Sequence, residues 1–166
     1  MRKVTLMFGA SALCLTAGQA MAQMSPADQT FATKAASGGQ AEVSLGQLAI
    51  KNAASPQVRQ FGQQMVTDHT QANQDLQAIA RQQNFTLPDK LDSASHAKEQ
   101  RLQASTGATF DAAYARDMVE DHQQDIADFQ REASSGKDPS LKAFAQKYLP
   151  VLKHHLEMAQ TIDKKS

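Results

Sequence analysis

Apolar side chains recur along this chain at spacings of three and four, the period of a helix with one buried face. Between residues 56 and 83 the stripe reads Val58, Phe61, Met65, His69, Ala72, Leu76, Ile79. Between residues 109 and 134 it reads Phe110, Tyr114, Met118, His122, Ile126, Phe129. From residue 139 to about 164 it reads Leu141, Phe144, Tyr148, Leu152, His155, Met158, Ile162, and near the start it reads Phe31, Ala35, Glu42, Leu45, Ala49. The boundaries have chemical signals. Ser25-Pro26, Ser55-Pro56 and Asp138-Pro139 each place a capping side chain before a proline at the first helical position. Asn84 is suited to a left-handed stop, and Ser135-Gly136 ends the third long helix. Gly38-Gly39 predicts a bend or a close approach in the first helix, and Pro150 predicts a kink in the last. Residues 84–108 form a long connection broken at Leu87-Pro88, in which 92–105 can make a short helix. The expected fold is therefore all-α: a ferritin-like four-helix bundle with a long crossover carrying a short helix. An up-down bundle with a ragged loop is the alternative.

Each stripe contains one ionisable residue among apolar ones: Glu42, His69, His122 and His155. All four fall within about a turn of mid-helix, so in a bundle of similar helices they share one layer. Two of the histidines belong to an internal repeat. Phe61–Gln77 and Tyr114–Gln130 align at an offset of 53 residues, with seven of 17 positions identical around the shared string M-V-x-D-H.

Burying ionisable groups is unfavourable unless they pair or bind a cation. Two readings of the layer follow. In one, Glu42, His69, His122 and His155 are ligands to a transition metal such as Cu, Zn or Fe, with Mn also compatible. Met65, Met118 and Met158, each one turn from a layer histidine, would be soft ligands suited to Cu(I), although methionine is also an ordinary core filler. In the other, Glu42 faces a protonated histidine in a structural polar layer that sets helix register. Asp68 and Asp121, which precede the repeated histidines, are either orienting acceptors for an imidazole or solvated and ion-paired; the second is the commoner fate of such residues. His96 and His154 read as exposed.

The first 22 residues read as a signal peptide. Arg2 and Lys3 precede an apolar stretch, Val4 to Ala17, that is too short for a stable anchor, and Ala20-Met21-Ala22 is a cleavage signal. Cys14, the one cysteine, lies inside it and follows Leu13 rather than the small residue a lipid-anchor site requires. The expected mature chain is one helical domain, residues 23–166, exported to the periplasm, with no thiolate ligand and no disulfide. It carries 15 basic and 17 acidic residues without a basic patch or a further membrane-length apolar run. Nucleic acid and a membrane span are excluded as expectations. No phosphate loop, nucleophile elbow or Glu-x-x-His pair is present, so the chain carries no recognisable catalytic constellation, and the missing Glu-x-x-His pair speaks against the di-iron carboxylate chemistry usual for such bundles.

The strings FATKAASGGQAEVSLGQLA, MVTDH and MVEDH, TLPDKLD and SGKDPSLKAFAQKYLPVLKHHLEMA together resemble the bacterial domain-of-unknown-function family 4142. The resemblance covers about Asp28 to Ile162. It implies a secreted or periplasmic ferritin-like bundle, of a kind often labelled an outer-membrane protein, and brings no catalytic residue with it. Two function classes stand: an exported metal-binding bundle, or a non-catalytic cell-envelope interaction or stress protein with a structural polar core.

Overall fold

The computed structural model describes residues 24–165. The expected signal peptide and its cleavage point lie outside the described residues. Five helices are present: α1 (Pro26–Asn52), α2 (Pro56–Gln82), α3 (Ser93–Gln103), α4 (Gly107–Ser135) and α5 (Pro139–Asp163). Among the described residues there is no strand, only an isolated bridge joining Ala53 to Gly107. No described helix is long and apolar enough to cross a membrane.

The caps form as the sequence predicts. Ser25 and Asp28 make a reciprocal capping box at α1, Ser55 accepts from Gln57 N at α2, and Asp138 accepts from Ser140 and Leu141 at α5. Asn84 stops α2 with a φ of 53°. The expected kink at Pro150 is not seen as an interruption, since α5 runs unbroken through it. The missing N–H strands only the Gln146 carbonyl, and Gln146 and Pro150 both face solvent, where water can take that bond.

α1 pairs with α2 and α4 with α5, while α1 also packs on α4 and α2 on α5. Every neighbouring pair is antiparallel. Lys34 meets Asp128, and Asp111 reaches the backbone of Ala54 and Ser55. Asp75 meets Tyr148, and Asp68 meets His155. The order is up, down, down, up, which requires the long crossover that α3 supplies, so the fold is the ferritin-like bundle. α2 and α4, the two halves of the repeat, are parallel and diagonal to each other.

α1 and α2 approach most closely where Gly46 crosses Gly62. A Cβ at either glycine would lie 2.8 Å from the other's carbonyl oxygen. Gly39 makes the second close approach, against the Asn73 side chain. α3 buries only Leu102 and is otherwise fastened by polar contacts: Ser37 to Asp92, Ser44 to Glu99, Lys98 to Asp121 and Arg101 to Asp117.

The apolar interior is in two parts. One, at the end where α1 finishes, gathers Leu45, Phe61, Met65, Leu102, Phe110, Tyr114 and Met118. The other gathers Phe31, Leu76, Phe129, Leu141, Phe144, Tyr148 and Leu152. The layer of buried ionisable residues lies between them.

Candidate metal centre

Three histidines from three helices meet in this layer. His69 comes from α2, His122 from α4 and His155 from α5, each at the stripe position that helical period assigns it. Ring centroids are 5.8 Å apart for His69 and His122, and 5.4 Å apart for each of the other two pairs. One ring nitrogen from each lies within 4.8 Å of the others, and all three residues are buried.

The hydrogen bonds decide which nitrogens are free. His122 Nδ1 lies 2.9 Å from the Met118 carbonyl oxygen, which can only accept, so Nδ1 carries the proton and Nε2 presents a lone pair. His155 Nε2 donates to Asp68 Oδ2 at 2.8 Å, which leaves Nδ1 as the lone-pair atom. His122 Nε2, His155 Nδ1 and His69 Nε2 are all buried without a hydrogen-bond partner. Unpartnered ring nitrogens of this kind are uncommon in a folded interior, and here three neighbouring histidines each carry one.

The imidazoles are held neutral. Burial first, then the neighbouring His122 and His155, keep His69 well below the usual imidazole range. Burial, with His155 adding to it, brings His122 down to about 3 against the opposing Met118 bond. Burial lowers His155 too, although Asp68 pulls the other way. Neutral imidazole is the form that ligates a metal.

Glu42 stands at the edge of the group, not within it. Its Oε1 is 3.8 Å from His122 Nδ1, beyond hydrogen-bond reach and on the side already bonded to Met118. Burial, then Asp121 and Asp125, push its carboxyl well above the usual range. At that distance the direct hydrogen bond from a layer histidine to Glu42, expected in the polar-layer reading, is not formed with His122. Glu42 Oε2 has no partner either.

The two repeat aspartates part company. Asp121 pairs with Lys98 at 2.5 Å, the ion-paired one of the two roles open to both. Asp68 takes the other, the orienting acceptor of an imidazole, by bonding His155, because α5 presents an imidazole where α3 presents an ammonium. Met65 and Met118 are fully buried and Met158 partly so, all packed in the apolar cluster next to the histidines. His96 and His154 are exposed, as expected.

Two further carboxyls went unnoticed in the sequence. Asp125, one turn beyond Asp121, is pushed up to about 7 by burial and by Asp121 and Asp128. It lines a cavity of about 20 Å³ together with Asp68, His69, Asn73 and His155, room for about one water. Glu132 sits by Asp28 at the far end of the bundle. A run of acids along α4 (Asp117, Asp121, Asp125, Asp128, Glu132) at spacings of three and four was the available signal.

The profile described as "Domain of unknown function (DUF4142)" matches residues 14–162. No curated protein matches the chain in sequence. Among solved structures, a DUF305 fragment from Deinococcus radiodurans superposes with a TM-score of 0.77 at 10% identity, covering 87% of this chain and 99% of that one. CopM in an Ag-bound form superposes with a TM-score of 0.69 at 13% identity, covering 83% of this chain and 96% of the other. At these identities the likeness is one of fold.

Proposed function

Because the chain belongs to the DUF4142 family, whose description assigns no activity, we propose a function from the site itself: binding a single transition-metal cation of the copper group on His69, His122 and His155. The observation that carries this reading is the set of three buried imidazole nitrogens without hydrogen-bond partners, two of them fixed as lone-pair donors by Met118 and Asp68. A carboxylate or backbone carbonyl on the far nitrogen is the usual support of a metal-bound histidine. Nitrogens of a tetrahedral site with bonds of ~2.0–2.1 Å stand about 3.3 Å apart, so small ring rotations close the group around an ion.

Charge favours a monovalent ion. The ligands are neutral, and the solvation a cation loses on burial grows with the square of its charge. Cu(I) therefore suits this interior better than Zn(II), and Met65 and Met118 beside the histidines give it soft surroundings. The similarity in fold to an Ag-bound protein supports silver as a first probe. The chain acts in this reading as an exported binding protein, released after Ala22. Mass spectrometry of the periplasmic form should find Gln23 first, and a mature protein retaining Met1 would remove that part of the proposal.

The test is titration of tag-free protein with Ag(I), Cu(I) and Zn(II), read by calorimetry and by imidazole ¹⁵N shifts. One equivalent of Ag(I) or Cu(I) should bind, moving His69 Nε2, His122 Nε2 and His155 Nδ1. His122→Ala should abolish binding. If all three metals leave those nitrogens unmoved in the wild type, the reading fails, whether or not the variant folds.

A further inference from the structure

The histidines are enclosed on most sides. Apolar clusters close both ends of the layer, and Phe144, Tyr148, Val151 and Leu152 wall the small cavity beside His69 and His155. A cation crossing these apolar surfaces would shed its hydration with nothing in exchange, and Asp68, a carboxylate that also lines that cavity, already accepts from Gln64 and His155.

One side differs. Between α1, α3 and α4 lies a cleft of about 100 Å³ lined by Gly38, Glu42, Ser95, Lys98, Asp121 and Asp125 among others. Three of these are carboxyl groups at graded depth. Asp121 is part-exposed, Asp125 lines both this cleft and the cavity shared with His69 and His155, and Glu42 is buried beside His122. Glu42 lines the cleft with its Oε2 lacking any hydrogen-bond partner, and the residue is only 2% exposed. The one cation there, Lys98 of the crossover helix, is held by Asp121 at 2.5 Å. Gly38 keeps the wall low, for even a Cβ there would touch both Asp125 carboxyl oxygens at 3.8 Å.

We propose that this cleft is the entry port for the trihistidine centre: Asp121, Asp125 and Glu42 conduct the cation inward, and Lys98 is the resident counter-ion that the incoming cation displaces. The proposal rests on the metal-binding reading and adds a route to it. The carboxyls replace hydration step by step along the path, and their field concentrates cations at its mouth.

The test is stopped-flow loading of Ag(I) into the full mature chain in perchlorate salts, followed by tyrosine fluorescence, since Tyr148 lines the cavity at the site. Asp125→Asn should load about ten-fold more slowly and Lys98→Gln about three-fold faster, within the range of electrostatic effects on association. Both should still bind one equivalent, Lys98→Arg should load at the wild-type rate, and Asp163→Asn, an equal charge change far from the cleft, should also leave the rate unchanged. Raising ionic strength should slow the wild type and affect Asp125→Asn less. Loading of Asp125→Asn and Lys98→Gln at the wild-type rate, or a change of both in the same direction, would overturn the entry port while leaving the metal site intact. Failure of the wild type to bind Ag(I) at all would instead reject the site on which the port depends.

Discussion

A histidine that keeps a lone pair free in the interior costs the fold stability, because the nitrogen loses water and gains no partner. His69 has its Nε2 buried and unpartnered among two other imidazoles, at the same cost whether that nitrogen carries the proton or the lone pair. Replacing it by leucine removes that penalty at similar volume. His69→Leu should therefore stabilise the metal-free protein by roughly 1–3 kcal/mol while abolishing cation binding. Thermal unfolding with a chelator present measures the first effect, and a melting temperature below that of the wild type would contradict it. Glu132 makes a second penalty, set by pH. Burial, then Asp28 and Asp138, raise it from 4.5 to about 7, and one of its oxygens has no partner. A raised acid binds more protons folded than unfolded between those values, so its contribution falls as pH rises from 4.5 to 7. The lowered histidines act in the opposite sense below 6.5, so the residue is isolated by difference. Glu132→Gln should gain on the wild type by on the order of 2 kcal/mol between pH 5 and 8, with little difference at the acid end. Denaturant midpoints across that range provide the check, and a constant difference would contradict it. Asp28 beside it is lowered. Burial opposes this, but hydrogen bonds from Lys137, Ser25 and Asp138 outweigh it, so its support is lost only in stronger acid.

At the level of the helices, glycines of identical appearance in sequence have opposite roles. At Gly62 a Cβ would lie 2.8 Å from both the Ala49 Cβ and the Gly46 oxygen, so α1 and α2 would have to separate. Gly62→Ala should destabilise by about 1–3 kcal/mol, as overpacking does. Gly38 meets only ordinary contacts, and Gly38→Ala should stabilise by about 0.5–1 kcal/mol through helix propensity. Opposite shifts in melting temperature are the expected result; a common direction would refute the assignment. The same contrast shows what could be read in advance. Helix ends were legible because Ser25, Ser55, Asp138 and Asn84 act on backbone within a few residues of themselves. The inward placement of His69, His122 and His155 was legible because helical period fixes a face. The Gly46–Gly62 crossing, the bond of Asp68 to His155 and the removal of Glu42 to the edge depend on which helix lies opposite, and no local pattern encodes that. Lys98 was unreadable for the same reason: its partner, Asp121, is on another helix.

For the molecule as a whole, ligand and fold are linked. The cation would satisfy three nitrogens that have no hydrogen-bond partner in the protein, so binding should reinforce the entire bundle. At a free Ag(I) concentration a hundred times its dissociation constant, stability should rise by about 2.7 kcal/mol, and by none in His122→Ala. Calorimetric scans with and without the ion would show this, and an unchanged wild-type transition would count against the site. The parallel, diagonal placement of α2 and α4 gives the layer an approximate two-fold axis running down the bundle. Across that axis His69 answers His122, and the counterpart of His155 on α5 is Glu42 on α1. A perfectly symmetric layer would be a ring of imidazoles alike on every side. One acid in the fourth place breaks the ring and gives the centre a front and a back: a face toward the crossover helix where Glu42, Asp121 and Asp125 line a cleft, and a face toward α5 where the Asp68 carboxylate is already bonded to His155.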